Sequence, residues 1–183
     1  AAPSEPSALA PDAWVAAIEA ATRRLADLVA AGGPAAPVVA SAPGPEAREA
    51  LLATVRGLVA RERFAEALQQ LEGLAVAGRG GGPVALLRAL ILTNQGRFVE
   101  ASDLCRRVLA DDPHSAGAYH LLGVTAAQLG RVDEARAHHE TAITLEPGFA
   151  MSHWLLGRLH LGSGRTEPAR RHLQQALELW QRQ

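Results

Sequence analysis

Seven histidines and one cysteine are the side chains with which this sequence could do chemistry, as metal ligands, general bases or a nucleophile. A structural metal site asks for about four ligands in tetrahedral reach. No two of the histidines stand at His-x3-His spacing, and no second thiol accompanies Cys105. His138 and His172 lie 34 residues apart, at one point of a recurring pattern, and His139 stands where Leu71, Cys105 and Leu173 stand in the other copies. Positions shared in this way are set by packing, so no metal is expected. Cys105 would need a lowered pKa and a positioned base to attack a substrate. On an apolar helix face it is expected to be a small buried filler. Gly80-Gly81-Gly82 follows a helical pattern with no strand before it, so it reads as a joint and not as a phosphate cradle. No βαβ pattern is present to hold a nucleotide or S-adenosylmethionine. The expectation is a chain with no catalytic site and no cofactor of its own.

The formal net charge of −1 gives no electrostatic footprint for nucleic acid or an anionic membrane surface. No run of about 18 apolar residues is present, so no membrane insertion is expected. All 18 basic residues are Arg, which we read as the mark of a GC-rich genome, although Arg also makes the stronger bidentate contacts with carboxylates. A lone cysteine excludes an intrachain disulfide and suits a reducing, cytoplasmic setting. The sequence opens Ala1-Ala2-Pro3 without Met, as expected of a processed or excised piece; a lost signal peptide and a missing upstream domain both fit.

The elements that must position these side chains follow from periodicity. Residues 1–11 are mostly Ala, Pro and Ser, with one Glu and one Leu, and read as linker. Over 12–31 the apolar residues Trp14, Ile18, Ala21, Leu25 and Leu28 fall four, three, four and three apart, predicting an amphipathic helix that Gly32-Gly33-Pro34 stops. Residues 32–47 form a second, Pro/Gly/Ala-rich linker. Beyond it a period of 34 appears: Gly96, Gly130 and Gly164; Ala67, Ala101, Ala135 and Ala169; Pro113 and Pro147. Each unit is predicted to be a helix, a Gly-Arg turn, a second helix and a Pro that prevents continuation. The fold class is all-α, a right-handed α-solenoid of about four helix pairs over 48–183, preceded by a tethered amphipathic helix. The units are 48–81, which is degenerate as terminal repeats often are, then 82–115, 116–149 and 150–183.

These positions resemble the tetratricopeptide repeat. The clearest copy, Ala116 to Phe149, carries Tyr119, Leu122-Gly123, Ala135, Ala142 and Pro147 at the signature positions; Ala150 to Gln183 carries Leu156-Gly157, Ala169 and Ala176. The copy over 82–115 departs from it with Arg88-Ala89 in place of Leu-Gly, and the first keeps mainly Phe64, Ala67 and Leu71. A finer resemblance covers 112–179. Ala142 to Ala150, His153 to Gly157, Gly164-Arg165 and Ala169 to His172 are similar to the repeat extension behind the catalytic domain of CheR-type chemoreceptor methyltransferases. That resemblance implies a regulatory, non-catalytic module of bacterial chemotaxis signal transduction, possessing no methyltransferase activity alone. A stand-alone chaperone or scaffold of a bacterial secretion or assembly system is the alternative.

The repeat family's groove, carried over residue by residue, falls on Leu52, Arg56 and Val59 of the first unit and on Leu86, Leu90 and Asn94 of the second. It continues through His120, Val124 and Gln128 of the third and Trp154, Arg158 and Leu161 of the fourth. The Lys and Asn set that clamps a C-terminal carboxylate in chaperone-binding members is missing. The resemblance therefore implies a protein partner: an amphipathic helix or apolar extended segment, such as a chemoreceptor segment. The helix over 12–31, with Trp14, Ile18, Leu25 and Leu28 as its contact face, is a candidate occupant of that groove in cis, or in trans by exchange within a dimer. Capping the first repeat and docking on a missing catalytic domain are its other expected roles.

Overall fold

The computed structural model describes residues 45–74 and 82–182. The predicted helix over 12–31, with Trp14, Ile18, Leu25 and Leu28, and most of the linker before residue 45 lie outside the described residues. Within them the chain forms eight helices and no strand: α1 (Pro45–Ala60), α2 (Phe64–Leu74), α3 (Pro83–Asn94), α4 (Phe98–Asp111), α5 (Ala116–Gln128), α6 (Val132–Leu145), α7 (Ala150–Gly162) and α8 (Thr166–Gln181). Consecutive helices pack on one another, and α3 also meets α5, the first helix of the next pair. This is the all-α helical repeat that the period predicts. One boundary moves: α1 begins at Pro45, inside the segment read as linker. A proline ends helices but also starts them, because its fixed φ suits the first turn and its missing N–H has no partner there to lose. Pro83 opens α3 in the same way.

The turn inside each pair has one construction. Gly96, Gly130 and Gly164 take φ of 76°, 75° and 69°. The following Arg97, Arg131 and Arg165 each donate their backbone N–H to a carbonyl five residues back, Leu92, Ala126 and His160, at 2.9 Å. This satisfies end carbonyls that the helix itself leaves open. The degenerate first pair makes the same turn without glycine: Glu62 sits at φ 57° and the Arg63 N–H reaches Leu58 O at 2.9 Å.

Where the two helices of a pair cross, Ala67, Ala101, Ala135 and Ala169 are wholly buried, as the 34-residue alanine register requires. A second crossing point is matched in volume. A Cβ on Gly123 would lie 2.6 Å from the His139 ring, and one on Gly157 would lie 2.7 Å from Leu173 Cγ. The same two positions hold Ala89 and Cys105 in the second pair and Val55 and Leu71 in the first, all buried. Glycine makes room for His139 and Leu173 in the third and fourth pairs, whereas the first pair has valine and leucine at these positions.

Between pairs the seams are partly polar. The Thr125 hydroxyl donates to Leu122 O at 3.0 Å and accepts from the Ser102 hydroxyl at 2.9 Å, so α4 is fastened to α5 by a buried hydroxyl chain.

Candidate interaction face

The residues expected to line a groove lie on the first helix of each pair, and the structure sorts them into two groups. Leu52, Val59, Leu86, Leu90 and His120 are buried. The side chain of His120 is taken up internally. Its Nδ1 lies 2.8 Å from Ser152 Oγ, and its ring centroid is 4.6 Å from that of Phe149 and 5.3 Å from that of His139. It joins α5 to the start of α7 and offers nothing to a ligand. Burial holds it well below the ordinary imidazole range, so it stays neutral.

The second group reaches solvent. Asn94, Gln128, Arg158 and Leu161 are exposed, and Val124 and Trp154 are half-buried. Arg56 is half-buried and paired with Glu49 at 3.0 Å. Val124 and Arg158 hold one register position of α5 and α7, and Asn94 and Gln128 hold one of α3 and α5, each two 34 residues apart. Arg158 places its guanidinium carbon 4.9 Å from the Trp154 ring centroid. A cation so placed stiffens both side chains and sets hydrogen-bond donors beside an apolar ring. Such a surface accepts an aliphatic or aromatic side chain beside a backbone carbonyl or carboxylate. Other large apolar side chains at the surface, Val99, Leu129 and Val132, are scattered over turns and second helices.

The side chains that suggested chemistry are placed by packing. Cys105 is wholly buried, and burial pushes its thiol up to about 12, the reverse of what a nucleophile needs. Among the described residues no three His, Cys, Asp or Glu side chains gather as a metal site. Both ring nitrogens of His139 are buried without a hydrogen-bond partner, and burial takes its pKa down to about 4. One arrangement escaped sequence reasoning. His153 and His172 come together across the last helix pair, with Nδ1 atoms 3.1 Å apart. The signal was present: Tyr119 and His138, one period earlier, have the same separation in sequence and also meet, with ring centroids 6.1 Å apart.

Comparison with known proteins agrees with this geometry. Residues 52–116 and 114–182 each match the tetratricopeptide repeat family, and together the two matches span well over half of the chain. No curated protein matches the chain in sequence. Among solved structures, a thermophilic repeat protein of Thermus thermophilus superposes with a TM-score of 0.66 at 22% identity, covering 73% of this chain and 74% of that one. MamA of Desulfovibrio magneticus does so with a TM-score of 0.61 at 19% identity over 74% and 76%. YrrB, described as having an unusual peptide-binding site, gives a TM-score of 0.56 at 20% identity over 74% and 70%. At these identities the likeness is one of fold.

Proposed function

Because this chain belongs to the tetratricopeptide-repeat family, whose repeats run over residues 52–182, we propose that it binds an amphipathic helix or extended peptide on the face carrying Asn94, Val124, Gln128, Trp154 and Arg158. The observation that supports this reading is the Trp154–Arg158 stack, a half-buried aromatic ring with an exposed guanidinium 4.9 Å from its centroid on α7. Aromatic and Arg side chains of this kind dominate binding energy at protein interfaces. YrrB supports the reading as a repeat protein of like fold with a peptide-binding site. The module works without a cofactor, does no chemistry itself and operates in the cytoplasm.

The finer proposal is that the module regulates a CheR-type chemoreceptor methyltransferase by binding receptor segments or by restraining a catalytic domain. Its support is the residue resemblance over Ala142–Ala150, His153–Gly157, Gly164-Arg165 and Ala169–His172. A secretion or assembly chaperone of the same fold is the competing reading. Titration with purified chemoreceptor cytoplasmic segments separates them. Saturable binding that Trp154→Ala or Arg158→Ala weakens by about tenfold supports the receptor reading, and absence of binding at all segments sinks it.

Segment 12–31 enters this proposal as a built-in competitor. Its face of Trp14, Ile18, Leu25 and Leu28 suits the same surface, and short tethers give effective concentrations near millimolar. With an intrinsic affinity near micromolar, an outside ligand would pay about 4 kcal/mol to displace it. Deleting residues 1–44 should then tighten receptor-segment binding by about tenfold or more. Unchanged affinity would remove the competitor from the proposal and leave the face itself in place.

A further inference from the structure

The last helix pair carries three imidazoles at one seam. His153 and His160 on α7 face His172 on α8. His153 Nδ1 and His172 Nδ1 are 3.1 Å apart, with ring centroids separated by 5.4 Å. His160 stacks on His172 at 5.7 Å with an interplanar angle of 18°. In the first contact the centroid separation exceeds the nitrogen separation by about two ring radii. The rings therefore point head-on along one N–H···N line, and their lone pairs do not converge on a third atom as they would around a metal.

Proton accounting fixes the bond's direction. His153 Nε2 lies 3.3 Å from the Pro147 carbonyl, which can only accept, so Nε2 carries the hydrogen. A neutral His153 then has a bare Nδ1, and it accepts from His172 Nδ1–H. One proton on each ring satisfies this line from the Pro147 carbonyl to α8. A further proton on His153 would set N–H against N–H. One on His172 would place a cation beside His160 and Arg171. The surroundings do not welcome it: Arg136 of α6, Arg165 of the turn and Arg171 of α8 act on His160, against the single carboxylate of Glu140 on α6.

The repeat supplies its own comparison. The positions of His153, His160 and His172 are held by Tyr119, Ala126 and His138 in the third pair, by Ala85, Leu92 and Leu104 in the second and by Leu51, Leu58 and Gln70 in the first. A seam that is wholly apolar in the second pair becomes wholly imidazole in the last.

We propose that α7–α8 is an acid-releasable unit: protonation of the His153–His160–His172 cluster, which sets N–H against N–H at His153 or adds a cation beside Arg171 at His172, opens the last helix pair while α3–α4 stays closed. Burial lowers the pKa of all three rings, and that of His172 falls to about 4, with His153, His160 and Arg171 adding to the effect. The closed form therefore holds the rings neutral, whereas the opened form takes up protons at the ordinary value near 6.5. Closure is fully favoured above about pH 6.5 and weakens as pH falls toward 4. His139 of α6 titrates in the same window, which makes α3–α4, free of histidine, the proper comparison. The opening stands independently of the binding face, but α7 carries Trp154 and Arg158, so under the reading above acid would also release a bound peptide.

Amide hydrogen exchange of the full chain between pH 7.5 and 5.0, corrected for intrinsic rates, tests this. Protection over 150–181 should fall by about tenfold or more, and that over 83–111 by less than about twofold. Combining His153→Tyr with His160→Ala, which installs the set used in the third pair, should remove most of the difference. Equal losses in both regions of the unaltered chain would overturn the proposal, as would an undiminished loss in the double variant. Should that variant fail to fold, proton NMR of the unaltered chain decides: His153 and His172 must titrate together below 6.5, and independent titration near 6.5 rules the device out.

Discussion

Single residues carry the fit of each helix pair, and Gly123 with His139 is the clearest case. Replacing glycine by alanine inside a helix ordinarily stabilises by about 0.5–1 kcal/mol. Here the new Cβ would lie 2.6–2.8 Å from three atoms of the His139 ring, which is itself wholly buried and cannot swing away. Gly123→Ala should therefore destabilise by about 1–3 kcal/mol in urea unfolding. Adding His139→Cys should recover most of that loss, since Ala89 and Cys105 are the combination used in the second pair. Additive losses in the double variant would refute the volume pairing. His139→Leu, which copies the Gly157–Leu173 pair, removes two buried nitrogens without partners and should stabilise by about 1–3 kcal/mol. Because folded His139 has a pKa near 4 and the unfolded ring one near 6.5, the variant should also lose part of the fall in stability between pH 6.5 and 4. The sequence placed His139 on a packing position by its 34-residue alignment with Cys105 and Leu173. It did not reveal that His120 is spent on Ser152, because that bond joins residues 32 apart on different pairs and neither type demands the other.

At the scale of elements, the Gly-Arg turn was legible in three of the four pairs, because a left-handed residue followed by a fresh helix leaves a glycine in the sequence there. Its one exception yields a prediction. Glu62 takes φ 57° where the other turns use glycine, and an L-residue in that region costs about 1–2 kcal/mol. Glu62→Gly should stabilise the first pair by about 0.5–1 kcal/mol, after the entropy of the added glycine, read as a higher urea midpoint at unchanged slope. No gain, or a loss, would mean that the turn is held by something other than backbone conformation. Flanking charges matter less. Arg63–Glu66, Arg97–Glu100 and Arg131–Glu134 repeat with the period, but all are exposed, and pairs of that kind contribute little. The start of α1 was misjudged because proline marks both ends of helices, and only the chain before it decides which.

The whole molecule is a row of nearest-neighbour contacts, so its stability is graded along the row. At neutral pH the first pair, with its strained turn and Val55 where other pairs hold Ala or Gly, should lose amide protection before α5–α8. A single uniform exchange rate across 45–182 would contradict that. The fold could be read from sequence because a period is a global signal, repeated four times and tolerant of error in any one copy. The interaction face could be read only in part. Register places Leu86 and His120 on the same helix faces as Trp154, and only packing between pairs decides which of them neighbours cover. The fit of Gly123 to His139 also has a bearing on how such a chain can change by descent. The two residues sit on either side of the turn at Gly130, so a genetic crossover at that turn would join a glycine to a foreign partner or a larger residue to His139. A crossover near Pro113 or Pro147 keeps each matched pair intact, with only contacts such as His120 to Ser152 left to readjust. The smallest piece of this protein that can be shuffled or duplicated without splitting such a match is the whole helix pair.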